Sequence, residues 1–193
     1  MNELALHVLD ILGNSIRAGA LHIGLTIVES LSQNIYQIEI EDDGRGMDEA
    51  TLKDVFNPWV TTRKERRVGM GLSLIKQAAE MCGGEIKISS DPKSGTRLCV
   101  RFEYLHLDRP VAGDMSGAVV MTAASSSKID LVYTHTTDVG TYRFSSHEVL
   151  DILGGVALDN ASIMRAVQEM VQSNLDEICA EGEEPVALSR MGH

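Results

Sequence analysis

Basic side chains are in short supply. Among 193 residues there are 17 Lys and Arg against 28 Asp and Glu, a net charge of −11. The shortage is worst in residues 104–193, which hold 13 acidic and 5 basic side chains. Phosphate backbones are gripped by clustered Lys and Arg, so nucleic acid is not expected as a partner. Long apolar runs are also missing. None reaches the ~18 residues that span a bilayer, and no signal-peptide pattern opens the chain. No membrane partner is expected. Cysteine is scarce too: Cys82, Cys99 and Cys179 lie far apart, with no C-x-x-C pair. That spacing excludes a disulfide framework or a paired-thiol metal site and suits reduced thiols in the cytoplasm. What is present is 44% hydrophobic residues, enough for a true core. The length fits one domain of ordinary size, or one plus a small appendage.

The most informative stretch is 38–48, IEIEDDGRGMD. Alternation of Ile38 and Ile40 predicts a half-buried strand, and the glycines predict a sharp exit from it. A strand that carries Asp43 to its own end can build a pocket floor. The carboxylate accepts hydrogen bonds from a ligand amino group, and Gly44 and Gly46 allow close backbone approach.

Taken in order, residues 2–19 read as an amphipathic helix, with Leu4, Val8, Ile11, Leu12 and Ile16 on one face. Asp10, Asn14 and Arg17 fall on a polar line at the same spacing. Strands are predicted over 22–30 and 36–43, joined as a hairpin, then a short helix over 48–56 capped by Asp48. Pro58 and the cluster Arg63, Lys64, Arg66 and Arg67 mark a loop. The loop ends at Gly69-Met70-Gly71, which opens a helix running to Cys82 and stopped by Gly83-Gly84. Strands follow over 85–90 and 96–104. Residues 107–126, rich in Gly, Ser, Ala and Met, read as a linker around a short strand at 118–122. Residues 127–193 read as a small α/β domain: a hairpin over 128–136 and 140–145, a serine-capped helix, and an amphipathic helix over 160–178.

A Gly-x-Gly that opens a helix aims free N–H groups and the positive end of the dipole at one point. A basic loop leads straight into it, and the two together suit a phosphate.

Four pieces now stand in order: Asp10-x-x-x-Asn14-Ser15, DDGRGMD, FNPWVTTRKERR, and GMGLSL with a later Gly95-Thr96. Over about residues 1–106 this resembles the GHKL superfamily of ATPases and kinases. NSIRAGALHI is similar to the MutL-type first motif, and the second half is similar to sensor histidine kinase catalytic domains. The resemblance implies an α/β fold of the Bergerat type, a two-layer α+β sandwich with a mixed sheet under helices, followed by a small C-terminal extension. It implies ATP and Mg²⁺ as cofactors. By the same resemblance Asp43 binds the adenine amino group, Gly44, Gly46 and Met47 shape that pocket, and Thr96 supports it. Asn14 ligates Mg²⁺, Arg17 and Arg63 contact phosphate, and Gly69, Met70, Gly71 and Leu72 form the second glycine box beside Phe56–Trp59.

Asp10 stands where hydrolysing members carry glutamate and sensor kinases an amide. Aspartate keeps the carboxylate at shorter reach, so Asp10 is either a catalytic base or a structural residue. The first motif lies at the start of the sequence, so no upstream dimerisation segment with an acceptor histidine is expected. Phe144-Ser-Ser-His147-Glu148 faintly resembles an acceptor box, though a capped surface histidine is the simpler reading. Two functions follow: ATP-dependent phosphotransfer to a protein partner in signalling, or a nucleotide-gated binding module with slow ATPase activity. Either one involves a protein partner, and a homodimer is compatible with both.

Overall fold

The computed structural model describes residues 3–57 and 70–180. Helix α1 (Leu4–Arg17) leads into the hairpin of β1 (His22–Ser30) and β2 (Ile35–Asp42), then the short α2 (Glu49–Lys53). Helix α3 (Met70–Met81), β3 (Glu85–Asp91) and β4 (Gly95–Glu103) follow. The chain continues through α4 (Met115–Ala124), β5 (Asp130–Thr136), β6 (Thr141–Ser145), α5 (Ser146–Ile152) and α6 (Ala161–Glu177).

The six strands among the described residues form one mixed sheet in the order β3-β4-β2-β1-β5-β6. Inward residues alternate along each strand as a half-buried sheet requires. Leu25 and Ile27, Ile38 and Ile40, Leu98 and Val100, and Leu131 and Tyr133 are buried, while their neighbours are half-buried or exposed. Helix α1 buries Leu4, Val8, Ile11 and Leu12, and α3 buries Ile75 and Ala79. Each fully buried Leu, Ile or Val contributes roughly 1.5–3 kcal/mol relative to exposure. The result is the expected two-layer α+β sandwich.

Two expectations need correction. Residues 107–126 do not form a linker around a strand at 118–122. Residues 115–124 form helix α4, capped by the Asp114 side chain accepting from Gly117 N–H. Eight of its ten residues are buried, and a helix that is apolar all round is a buried one. Its pairing of Val119 and Val120 mimics a strand because no polar face remains to reveal the helical period.

The second concerns residues 127–193. The hairpin there is present as β5 and β6, but β5 pairs in parallel with β1 over His22↔Asp130 to Val28↔Thr136. Strands β5 and β6 therefore extend the first sheet, and α4, β5 and α6 share one apolar core with α1. A parallel neighbour is joined through a crossover instead of a tight turn, so no local turn signal announces it.

Candidate functional site

Strand alternation decides which residues meet at the sheet's end. On β2, Asp42 shares the inward face with Ile38 and Ile40, and it is only 8% exposed. In cross-strand register it lies between Ile23 of β1 and Thr96 of β4, and Thr96 is in turn opposite Ser90 of β3. Asp42 Oδ2 accepts the hydroxyl of buried Ser15 at 2.6 Å, and Oδ1 accepts Gly44 N–H at 2.9 Å. Helix α1 and the glycine loop are thus joined through one buried carboxylate.

The loop is held from several sides. Arg45 N–H donates to Ala18 O, and Lys93 N–H to Arg45 O. Met47 N–H donates to Ser90 Oγ at 2.9 Å, and Ser90 lies 2.8 Å from Gly95 O and 3.0 Å from Thr96 Oγ1. Gly46 has φ +65°, and a Cβ there would sit 2.0 Å from Asp91 O. Gly95 has φ +87°, and its Cβ would meet Asp42 O at 1.7 Å. Only glycine serves at either position. These contacts build a rigid, backbone-lined cradle with a single inward carboxylate.

Asp43 faces elsewhere. It is exposed, and its Oδ1 accepts Leu21 N–H at 2.7 Å and His22 N–H at 2.9 Å. Desolvation pulls its pKa up, but the His22 and Leu21 N–H groups outweigh it and hold the carboxyl below the ordinary 3.8. Asp43 fastens the start of β1 to the end of β2.

On α1, Asn14 is exposed, and its Oδ1 accepts from the Arg17 guanidinium. The two members of the polar line are therefore in contact, with the amide oxygen already held by a cation. Asp10 lies against the first turn of α3: a Cβ on Gly71 would stand 1.9 Å from Asp10 Oδ2. A carboxylate beside a helix N-terminus is favoured by the dipole, and the absence of a side chain on Gly71 makes room for it. Leu72 packs half-buried against the core. Lys76 lies over the Phe56 ring at 4.9 Å, joining α3 to the segment after α2. Arg63, Gly69 and Pro58–Trp59 lie outside the described residues, as does the side chain of Met70.

His147 is half-exposed, with Nδ1 3.8 Å from Asp130 Oδ1. Its neighbour Glu148 is paired with Arg143 at 2.7 Å, so the adjacent carboxylate does not polarise the imidazole. Among the described residues no group of three or more His, Cys, Asp or Glu side chains is arranged to hold a metal ion. Asn14 offers one amide oxygen. That suits Mg²⁺, which keeps most of its waters and uses substrate phosphates as ligands, better than a cation that needs a full protein cage.

Reading motifs alone passes over Ser15, Asp42 and Ser90. Parity was the available signal for Asp42, since it lies two residues beyond Ile40 and four beyond Ile38.

Among known proteins, the chain is similar to the tetrathionate sensor histidine kinase TtrS of Salmonella typhimurium. The two are 36% identical over 111 residues, 55% of this chain and 18% of that protein. Sensor protein TorS of Escherichia coli is 34% identical over 83 residues, covering 42% of this chain and 9% of that one. The chain thus spans less than a fifth of the length of these relatives. The solved N-terminal domain of a DNA repair protein has the same fold at a TM-score of 0.52 and 16% identity, over 75% of this chain and 52% of that one. Among the described residues no helix is long and apolar enough to cross a membrane. The model of the histidine kinase-, DNA gyrase B- and HSP90-like ATPases matches residues 2–108, more than half of the chain, with the glycine loop and the buried carboxylate inside the matched span. The chain belongs to that family of ATPases.

Proposed function

We propose that the chain binds Mg-ATP between α1, α3 and the end of the sheet and serves phosphotransfer to a protein partner in signalling. The observation that carries this reading is the Ser15–Asp42–Gly44 cradle, with Thr96 abreast of it. We place the adenine contact on Asp42 and leave Asp43 a structural role. Each carboxylate oxygen has a second lone pair, so Asp42 can accept the adenine amino group while keeping Ser15 and Gly44.

Bound Mg-ATP supplies the transferable phosphoryl group. For its part, the chain positions and neutralises. Asn14 offers its amide oxygen to the metal, which requires Arg17 to let go of it, and the released guanidinium can then turn to phosphate. Gly71 places the N-terminal turn of α3 beside the same line of residues on α1.

Asp10 distinguishes this reading from that of a slow ATPase switch. Its carboxylate is seated against Gly71, which favours a brace between α1 and α3 over a base for an attacking water. Phosphotransfer therefore leads, and a nucleotide-gated module remains the second reading.

The test is equilibrium binding of ATP with and without Mg²⁺, followed by γ-labelled ATP with separate counts of free phosphate and acid-labile protein label. Asp42→Asn should weaken ATP binding roughly 10–100-fold, the worth of one charge-assisted hydrogen bond. Asp43→Asn should change it less than about 3-fold, the effect of a remote surface change. Equal losses for the two would sink the assignment to Asp42. Free phosphate that persists at the wild-type rate in Asp10→Asn supports the brace, and its disappearance supports the switch.

A further inference from the structure

One cavity lies away from the glycine loop. It opens about 530 Å³ between the start of α4, the middle of α6 and the inner face of β5. Small-molecule pockets run from roughly 300 to 1,000 Å³. Its floor is His135, 1% exposed. The imidazole is pinned on both nitrogens: Nε2 lies 2.8 Å from buried Glu29 Oε1, and Nδ1 lies 2.5 Å from the Tyr133 hydroxyl. A buried carboxylate–imidazole–phenol chain is an expensive way to floor a void unless the void is used. The nucleotide reading makes no use of it.

The walls carry the argument. Arg165, Gln168, Glu169 and Gln172 line the cavity and recur at three- and four-residue steps, so they form one polar line on α6. It runs beside the line of Val167, Val171 and Leu175 that buries the helix. Opposite stands Asp114, whose charge is answered inside the fold. It accepts from Gly117 N–H at 2.7 Å, Ser116 Oγ at 2.9 Å and Gln168 Nε2 at 3.2 and 3.1 Å. Gln172 turns its amide to Asp176. Arg165 and Glu169 are left. Neither makes a hydrogen bond or ion pair with any described residue, and Arg before Glu at this spacing is the weaker orientation for pairing along a helix. A guanidinium and a carboxylate, one turn or about 6 Å apart along the axis, thus line the same cavity without neutralising each other.

We propose that this cavity is a second ligand site, for a small zwitterion such as a free α-amino acid. Arg165 takes the carboxylate in the planar, two-pronged manner guanidinium favours, and Glu169 takes the ammonium. Gln168 bridges α6 to Asp114 at the cap of α4 and closes one side. His135, with both nitrogens engaged, supplies a fixed wall and no competing donor.

The experiment is calorimetric titration and thermal melting of the purified chain with each of the twenty common amino acids, and with acetate and methylammonium as half-ligands. At least one amino acid should bind and raise the melting temperature, as any ligand specific to the native state does. Arg165→Met and Glu169→Gln should each weaken it at least about tenfold, the loss of one charged hydrogen bond. Each half-ligand alone should bind at least about tenfold more weakly, having one charged contact of the two. Both substituted residues are exposed, so the variants should melt with the wild type when unliganded. The half-ligand comparison needs no variant at all. Asp42→Asn should leave the effect intact, which separates this site from the nucleotide site. Three results overturn the proposal: no amino acid binds, binding survives both substitutions, or acetate alone binds as tightly.

Discussion

One oxygen of Asp43 accepts both the Leu21 and His22 N–H groups at the start of β1, and that has a consequence for acid stability. Its carboxyl is held below the ordinary value in the folded chain, so the native state binds this proton less readily than the unfolded state does. The stabilisation is present above the unfolded pKa and disappears as pH falls through the folded one. Melting curves from about pH 5 down to about pH 2 should show the wild type losing more stability than Asp43→Asn. A parallel decline in both proteins would mean that the two N–H bonds contribute nothing. The same pair of residues shows how far sequence reading reaches. The motif and its turn are plain from DDGRG, and which aspartate faces inward is fixed by parity with Ile38 and Ile40. Ser15 and Ser90 are not legible in this way. Their importance comes from cross-strand and helix-to-strand meetings that no local pattern encodes.

At the scale of elements, the turn between β3 and β4 and the helix α4 carry separate tests. Gly95 has φ +87° and no room for a Cβ against Asp42 O. Gly95→Ala should cost at least about 2 kcal/mol in urea unfolding and should weaken ATP binding along with stability, because the displaced backbone is that of Asp42. Loss of stability with full ATP affinity would uncouple the turn from the cradle. In α4, Val119 is fully buried while Met121 is 54% exposed. Val119→Ala should cost about 2 kcal/mol by leaving a cavity, and Met121→Ala should stay within about 0.5 kcal/mol. Similarly small costs at both would place α4 on the surface. The amphipathic helices α1 and α6 are readable because their polar faces expose the period. Helix α4 has no such face, and its burial hides its type.

For the whole molecule, the parallel pairing of β1 with β5 predicts that the nucleotide-binding half and residues 127–180 melt together. Differential scanning calorimetry should show one cooperative transition. Two resolved transitions would separate them into independent units. A fragment ending at residue 106 should aggregate on gel filtration, since removal of β5 bares the edge of β1 together with apolar surface otherwise covered by Leu131 and Tyr133.

Strand β1 leaves the ribosome about a hundred residues before its neighbour β5, and Ser30 waits for Asp138 across 108 positions to close the far end. Through that interval the nascent chain offers a row of unpaired backbone groups to any passing strand. Long-range pairing of this kind is slow and exposed to misassociation. The order of synthesis therefore makes this protein a candidate client of holding chaperones during translation, even though its finished sheet leaves that strand covered on both sides.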